Sequence, residues 1–573
     1  MNKLKFLFFS FTTGLLIASC SITQKATEVK QKESEVVQKQ EAPEPLPQKF
    51  SSLFSDEDLK NWQHTNPFDS HMPGMSTEKA YKELLKDSPA ETVIVAVVDA
   101  GIDINHPDLK DVIWTNNDEI PNNGIDDDKN GFIDDVHGWN FLGNKDGKMV
   151  GPEQLEKTRL VAKYRKKWKD KTLEEIAPEQ KEMFELYQRA EKELEKDLEK
   201  LKKLQVRFEN FSAMVENAEK TLKEALKTDQ LTTDKVKGLK TDNPIVQQAK
   251  EMYLQGLNSE RLKSFKNYIE LQEKYHLNID FNGRIQGDDP DDFNDKDYGN
   301  PNVIPPDENE LHGTHVAAII AQIRNNGIGG NGVADHVLIM PVRAVPDGDE
   351  YDKDVALAIR YAVDNGAKVI NTSFGKYYSP HKEWVWDAIK YAKEHDVLIV
   401  NAAGNDGKDM DEYGSKISYP NDGDIPGKEI TDNFLNIGAI GPNYGPGMIA
   451  SFSNYGKETV DIFSPGQKIY AAVPFSKYKF LQGTSMASPN VAGVAAVIRS
   501  RFPNLTASEV KHIIMNSGLS PQIMVIKPQE DDYDGNPELA PFSSLSKSGN
   551  MVNVYNAILL AKEISEKKLN EEK

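Results

Sequence analysis

Four short apolar runs without polar–apolar alternation constrain the fold of this chain more than any other feature. The first, at residues 92–98, reads Thr-Val-Ile-Val-Ala-Val-Val. A strand that is apolar at every position is buried on both faces, as in a parallel sheet covered by helices. Three similar runs alternate with two helical patterns further along the chain, at residues 337–341, 355–365, 368–371, 382–394 and 397–402. This alternation predicts a doubly wound α/β fold with a mostly parallel sheet.

Residues 151–280 differ sharply in composition from the segments on either side. They hold 27 basic and 25 acidic side chains among 130 residues, whereas the whole chain carries a formal charge of −21. Apolar residues recur there at helical spacing: Leu186, Ala190, Leu194, Leu198, Leu201, Phe208, Phe211, Val215, Ala218 and Leu222. Asn243 before Pro244 predicts the start of a second long helix, which would run to about His276. We expect a helical hairpin or coiled coil inserted into the α/β domain.

The chain begins with the pattern of an exported protein. Lys3 and Lys5 precede an apolar stretch that ends in Leu-Ile-Ala-Ser-Cys at Cys20, the only cysteine. This pattern predicts a signal peptide at residues 1–19. It resembles the signal of bacterial lipoproteins, in which the cysteine becomes lipidated; an ordinary secretory signal or a buried thiol is the alternative. The stretch is too short to span a membrane, so we expect a cell-envelope lipoprotein, on the periplasmic or surface face of a bacterial membrane, held there by its lipid.

Composition sets the remaining boundaries. Residues 20–60 are rich in Lys, Gln, Glu and Pro, which predicts a flexible tether. The α/β domain then occupies residues 61–150 and 281–565, and residues 566–573 form a charged tail. The acidic net charge argues against a nucleic-acid partner, and we expect no organic cofactor. The helical insertion is either a solvated spacer or a substrate gate or docking surface for a protein partner.

An aspartate, a histidine and a serine stand in separate motifs rich in glycine and small residues. Asp99 lies in Val-Val-Asp-Ala-Gly, His312 in Leu-His-Gly-Thr-His, and Ser485 in Gly-Thr-Ser-Met-Ala-Ser-Pro. Together they suit nucleophilic acyl transfer, because the histidine accepts the proton of the serine and a buried carboxylate orients the histidine. Asn405 follows another apolar run and is suited to donate a hydrogen bond to an oxyanion.

The aspartate and the histidine each have an alternative. Asp103 is a second carboxylate in the same motif, but Asp99 directly follows the buried strand. His315 lies three residues after His312, a spacing that suits two metal ligands on one helix face. Gly313 stands where the zinc-protease pattern His-Glu-x-x-His has its glutamate. We expect His315 to be a hydrogen-bonded core residue.

The serine also has an alternative. Ser485 precedes an apolar helical pattern, and the free N–H groups of a helix start would stabilise an oxyanion. A serine at this place is also a good helix N-cap, a role that Ser488 before a proline fits equally well. The small or flexible neighbours Gly483, Met486 and Ala487 favour Ser485 as the nucleophile.

The four motifs together resemble those of subtilisin-like serine proteases, and the order Asp, His, Ser is that of subtilisin. The resemblance implies a serine endopeptidase acting on polypeptides, with a triad of Asp99, His312 and Ser485 and with Asn405 as the oxyanion donor. It also implies a strand that pairs with the substrate peptide, and the substrate-binding residues Ser373, Phe374, Gly375, Ala403 and Gly404. The chain departs from the family at Ala100, where Ser or Thr is usual, and in its long insertion.

An acidic loop at residues 126–135 reads Asp-Asp-Asp-Lys-Asn-Gly-Phe-Ile-Asp-Asp. Its oxygen side chains and its glycine match the first part of an EF-hand calcium loop, but His137 replaces the final glutamate. We expect structural calcium at Asp126, Asp128, Asn130 and Asp134. An acidic turn without metal is the alternative, and a second acidic stretch at 288–297 is a weaker candidate. A different function also stays open: a catalytically silent calcium-binding surface lipoprotein whose insertion binds a partner.

Overall fold

Seven parallel strands form the central sheet. The computed structural model describes residues 54–412, 417–530 and 535–571. The strands of the sheet are β1 Val93–Asp99, β2 Trp139–Asn140, β3 Val337–Arg343, β4 Val369–Thr372, β5 Leu398–Ala402, β6 Phe434–Ile440 and β7 Ile462–Pro465. Their order is β2-β3-β1-β4-β5-β6-β7, and every neighbouring pair is parallel. The predicted parallel α/β sheet is confirmed, and each of the four apolar runs is a strand.

Two antiparallel strand pairs accompany the sheet. They are β8 Ile469–Val473 with β9 Lys477–Leu481, and β10 Met524–Ile526 with β11 Leu539–Pro541. The helices before the insertion and within it are α1 Asp56–Leu59, α2 Pro67–Ser70, α3 Thr77–Ala80, α4 Glu156–Trp168, α5 Lys181–Leu226, α6 Thr233–Gly238, α7 Pro244–Leu254 and α8 Ser259–Leu271. The helices after it are α9 His312–Ala321, α10 Asp352–Asp364, α11 Lys382–Glu394, α12 Thr484–Arg501, α13 Ala507–Ser517 and α14 Val554–Glu571.

Helices cover both faces of the sheet because its strands are apolar on both faces. In β1, Val95 and Val97 pack in the core cluster that contains α9 and α12. Ala96 and Val98 point to the other face and pack in the cluster that contains α10 and α11. All four side chains are fully buried. The sheet is therefore a rigid frame for residues at the ends of its strands.

The sheet reverses its winding direction between β1 and β4. The chain places β2 and β3 on one side of β1 and then crosses to build β4 to β7 on the other side. Open α/β sheets bind ligands at the carboxyl ends of their strands, at such a switch point. Asp99 is the last residue of β1, Ser373 follows β4, and Asn405 comes shortly after β5. The topology thus gathers three of the sequence-predicted site residues at one edge.

The insertion is built around α5, a helix of 46 residues that is roughly 70 Å long at 1.5 Å per residue. Near its start, α5 packs against α4 through Phe184, Tyr187 and Trp168. Further along, Leu222 of α5 packs in one cluster with Val236 of α6 and Val246 of α7. The predicted long amphipathic helix is confirmed, but the insertion has more helices than a simple hairpin.

The second long helix of the insertion, predicted from residue 244 to about His276, is wrong as a single helix. Its start is correct, since the Asn243 side chain accepts hydrogen bonds from the first turn. The helix α7 then ends at Leu254, where Gly256 adopts a left-handed conformation with φ of 79°. Asn258 caps the new helix α8. A left-handed glycine followed by a capping asparagine ends one helix and begins another.

The structure changes two of the predicted boundaries, those of the tether and of the charged tail. The signal peptide and Cys20 lie outside the described residues, as does most of the tether. Within the range predicted as tether, α1 is capped by Ser55 and buries Leu59, so the packed domain begins before residue 61. Most of the predicted charged tail is helical, because α14 continues to Glu571. Across the described residues, no helix has both the length and the hydropathy needed to cross a membrane.

Candidate active site

Asp99 and His312 form a hydrogen-bonded pair. The Nδ1 atom of His312 lies 2.7 Å from Oδ1 of Asp99, which is buried at the end of β1. The His312 side chain is 40% exposed, so its other ring nitrogen can face a substrate. Asp103 instead accepts hydrogen bonds from the backbone N–H groups of Asn105 and Phe475. The structure therefore pairs the histidine with Asp99 and not with Asp103.

The two histidines have different surroundings, which shift their pKa values in opposite directions. Burial acts to lower the pKa of His312, but the Asp99 carboxylate outweighs it and raises that pKa above the ordinary value of 6.5. His315 is buried in α9, and its Nε2 atom lies 3.1 Å from the backbone oxygen of Lys479. Burial lowers the pKa of His315 to about 3, so its ring is neutral. His315 is a core residue, as expected, and not a second ligand.

Ser485 is the second residue of α12, two positions further into the helix than the sequence suggests. Its Oγ donates to the backbone oxygen of Ser373 at 2.9 Å. Gly483 makes the turn into the helix with φ of 151°, a conformation that favours glycine. Ser488 is fully buried, and its Oγ donates to Oδ1 of Asn371 at 2.6 Å. Ser488 is therefore an interior residue and not the N-cap.

Asn405 is held in place by Thr484, the residue that precedes Ser485. Its Oδ1 accepts hydrogen bonds from the backbone N–H of Thr484 at 2.8 Å and from the Thr484 hydroxyl at 3.1 Å. These contacts fix the oxygen side of the amide and leave Nδ2 as its donor side. The Thr484 hydroxyl also accepts from the backbone N–H of Gly404 at 3.1 Å. This positioning role was not predicted from the sequence, where the only signal for it is that Thr484 directly precedes Ser485.

The predicted substrate-binding residues flank Ser485 from two neighbouring strands. Ser373 directly follows β4. Its Oγ donates to the Ser485 backbone oxygen at 2.9 Å, and its own backbone oxygen accepts from the Ser485 hydroxyl. Gly375 is exposed, whereas Phe374 packs partly into the core. Ala403 and Gly404 follow β5, which pairs with β4 in the sheet. Two backbone segments, 373–375 and 403–404, thus lie next to the candidate nucleophile.

The acidic loop forms a carboxylate cluster with a different membership from the predicted one. One carboxylate oxygen from each of Glu119, Asp128 and Asp135 lies within 4.8 Å of the other two. Asp126 instead accepts from the backbone N–H groups of residues 130 and 131. Asp134 accepts from those of residues 123 and 124. Of the four predicted ligands, the cluster therefore contains only Asp128.

The neighbours of this cluster explain its arrangement. Asn130 donates through Nδ2 to Asp128 and Asp135. It therefore orients these two carboxylates. Asp135 is fully buried, and burial raises its pKa. Glu119 accepts from the backbone N–H groups of residues 127, 128 and 134. Asp135 had a weak signal in the sequence, because it stands next to Asp134, whereas Glu119 lies before the loop and had none.

Asp288, the first residue of the second acidic stretch, belongs to a buried ion network with basic partners. Arg284 binds Asp288 and Asp354 through its guanidinium at 2.7 and 2.9 Å. Lys353 binds Asp288 at 2.6 Å, and neither side chain is more than 1% exposed. The carboxylates of Asp288 and Asp354 are thus neutralised by arginine and lysine. This network anchors the chain after the insertion to helix α10.

The fold and the site define a class of protein. It is a parallel α/β protein in which an Asp–His pair, a serine in the first turn of a helix and an asparagine amide meet at the carboxyl edge of one sheet. Comparison with known families is more specific. The model of the Subtilase family, Peptidase_S8, matches residues 90–539. The chain belongs to the subtilase family.

Curated relatives match parts of the chain. A thermophilic serine proteinase of Bacillus sp. (strain AK1) is 39% identical over 214 residues, which are 37% of this chain and 47% of that protein. Subtilisin DY of Bacillus licheniformis is 34% identical over 202 residues, 35% of this chain and 68% of its own length. Thermitase of Thermoactinomyces vulgaris is 35% identical over 217 residues, 38% of this chain and 70% of its own length. The chain thus spans about half the length of the first of these relatives.

Proposed function

We propose that the protein is a serine endopeptidase that hydrolyses peptide bonds in polypeptides. The observation that carries this proposal is the hydrogen bond between His312 and the buried Asp99 at 2.7 Å. Family membership and the serine proteases among the relatives support it. In this proposal Asp99, His312 and Ser485 are the triad, and Asn405 is the oxyanion donor.

The proposed reaction begins when Ser485 gives its proton to His312. The Oγ atom leaves its contact with the Ser373 carbonyl by rotation of the side chain and attacks the carbonyl carbon of the scissile bond. The oxyanion accepts hydrogen bonds from Nδ2 of Asn405 and from the backbone N–H of Ser485. The protonated histidine is stabilised by Asp99 and passes its proton to the leaving amine. Water then hydrolyses the acyl-enzyme by the same steps, with the histidine as base.

The backbone segments on either side of Ser485 would hold the substrate. In the proposal, an extended peptide pairs with residues 373–375 as an added β-strand. Gly375 is exposed, which supports this role because its backbone is accessible to a substrate peptide. Ala403 and Gly404 would form the opposite wall, next to the side chain that precedes the scissile bond. Which side chains fit depends on the separation of these two walls.

Labelling with a fluorophosphonate probe tests the proposal. Such a probe forms a covalent bond with a serine only when a base activates its hydroxyl. We expect the wild type to be labelled and Ser485→Ala not to be. Ser488→Ala serves as a second serine variant in the same helix, and it should still be labelled. A wild-type protein that stays unlabelled in calcium-containing buffer would refute the proposal.

We also propose a structural calcium ion at Glu119, Asp128 and Asp135. The three converging carboxylate oxygens suit a hard divalent cation. The cation would neutralise the charge of Asp135, which is buried beside the other two carboxylates. The side-chain amides of Asn116 and Asn130 donate to Asp128 and Asp135. They would thereby hold these carboxylates in a geometry suited to binding the ion.

Finally, we propose that the protein is exported and anchored to a membrane by a lipid on Cys20. The basic start, the apolar stretch and the single cysteine support this proposal. Growth with a clickable palmitate analogue should label the wild type and not Cys20→Ser. Equal labelling of both would contradict the proposal.

A further inference from the structure

The insertion contacts the chain immediately after the proposed substrate-binding segment. Lys376 follows Gly375, and its side chain is only 2% exposed. Its ammonium lies 2.9 Å from the carboxylate of Glu156 on helix α4 and 2.9 Å from that of Asp352. A buried ammonium that loses a partner is costly. The first helix of the insertion therefore helps to fix the backbone at the end of this segment.

The long helix α5 holds the next two residues. The guanidinium of Arg189 donates to the backbone oxygen of Tyr377 at 2.8 Å. The same guanidinium lies over the ring of Tyr378, 4.4 Å from its centroid. Tyr378 is buried in the core cluster of the insertion, together with Trp168 and Phe184. Two helices of the insertion thus hold three consecutive residues that follow Gly375.

The side chain of Tyr377 crosses to the other proposed substrate-binding wall. Its hydroxyl donates to the carboxylate of Asp406 and accepts from Nδ2 of Asn454 at 3.1 Å. The same Nδ2 donates to the backbone oxygen of Ala403 at 2.9 Å. The ammonium of Lys408 lies 3.6 Å from the centroid of the Tyr377 ring. Tyr377 therefore joins both walls: its main chain continues one, and its hydroxyl is tied to the other.

We propose that Arg189 is a positioning residue that acts through Tyr377 to set the separation of the segments 373–375 and 403–404. The insertion would thereby select which side chain is accepted before the scissile bond. Arg189 itself does not touch the substrate in this proposal, which rests on the proposed endopeptidase function. A shift of about 1 Å in a positioning group can change turnover by up to 100-fold, so a small movement of Tyr377 is enough to alter selectivity.

Three variants of the full-length chain isolate this contact. Arg189→Met removes the N–H donors but keeps a long side chain over Tyr378. Arg189→Lys keeps a cationic donor for the Tyr377 carbonyl. Arg207→Met is the matched control, because Arg207 is exposed on the same helix and lies about 27 Å further along it at 1.5 Å per residue.

The readouts are kcat and KM for peptides that differ only in the residue before the scissile bond, and the rate of labelling of Ser485 by a small fluorophosphonate. We expect Arg189→Met to change the ratio of kcat/KM between large and small side chains by about fivefold, the size of one lost hydrogen bond. Arg189→Lys should restore most of the wild-type ratio. Arg207→Met should match the wild type, and labelling rates should stay within about twofold.

Two results would overturn the proposal. One is an unchanged selectivity ratio in Arg189→Met. The other is an equal loss for all peptides together with slower labelling, which would mean that Arg189 supports the whole site and not one wall. If Arg189→Met does not fold, Tyr377→Phe tests the same connection from the other side and should change the same ratio. Failure of the wild type to be labelled would instead refute the proposed function.

Discussion

At the scale of single residues, the hydrogen bond between Asp99 and His312 sets the pH dependence of the proposed reaction. His312 must be neutral to accept a proton, and its pKa is raised above 6.5 by Asp99. Activity should therefore rise with pH through a midpoint above 6.5. Asp99→Asn removes the charge that raises the pKa, so the midpoint should move to lower pH while kcat falls by about 10,000-fold. The measurement is kcat/KM against pH, which reports the free enzyme.

Asp103→Asn is the control for this prediction. Asp103 lies in the same motif but contacts backbone N–H groups instead of the histidine. Its variant should keep the wild-type midpoint. An unchanged midpoint in Asp99→Asn would mean that another group governs the pH profile.

The site residues differ in how far the sequence could predict them. Asp99 and Ser485 sit where a buried strand ends and an apolar helix begins, and such local patterns are visible in sequence. Glu119 reaches the carboxylate cluster only because the loop folds back on itself, and no periodicity describes that path. Thr484 holds Asn405 across 79 residues, a contact that depends on how β5 and α12 meet in space.

At the scale of elements, the buried pair between Glu156 and Lys376 joins the insertion to the α/β domain. Burial alone would raise the pKa of Glu156, but Arg159 and Lys376 outweigh it and lower the pKa from 4.5 to about 2. Its stabilisation is therefore fully present above pH 4.5 and is lost as the pH falls towards 2. Glu156→Gln should lower the free energy of unfolding by roughly 3 kcal/mol at pH 7, and this difference should shrink between these two pH values.

Denaturant unfolding of wild type and variant at several pH values measures this difference. Glu270→Gln is a suitable control, because Glu270 pairs with Lys266 and Lys274 on the exposed surface of α8 and its following turn. That variant should unfold like the wild type. A cost of Glu156→Gln that stays constant down to pH 2 would contradict the lowered pKa.

The insertion shows where prediction from sequence ends at this scale. Its long helix was predictable because the apolar stripe repeats over ten turns or so of regular spacing. The break at Gly256 was not, because a single glycine is tolerated in many helices and only its left-handed conformation ends this one. The stripe also shows which face of the helix is buried, but it does not show which part of the chain packs against that face. Arg189 and Tyr377 are 188 residues apart, so their contact follows only from the packed structure.

At the scale of the whole molecule, the described domain has no disulfide to support it, since Cys20 is the only cysteine. The parallel sheet and its two helix layers supply the core, and these were predictable from apolar runs alone. The loops that cover the sheet edge were not, because they are held by scattered carboxylates and amides. Buried Asp135 lies in one such loop, next to Glu119 and Asp128, and a cation there would join three points of that loop.

Calcium should therefore raise the thermal stability of the folded protein. A ligand that binds only the native state at 100 times its dissociation constant adds about 2.7 kcal/mol to the unfolding free energy, which corresponds to a rise of roughly 3 °C in the melting midpoint of a domain of this size. Glu119→Gln removes one of the three carboxylates and should abolish the difference in melting midpoint between calcium and chelator.

Asp297→Asn is the control, because it changes an acidic side chain that is 87% exposed and paired with Lys145. It should leave the difference in melting midpoint intact. Differential scanning calorimetry of the three proteins in calcium and in chelator measures these midpoints. Identical wild-type midpoints under both conditions would refute the calcium site, whereas a calcium effect that survives Glu119→Gln would place the ion elsewhere.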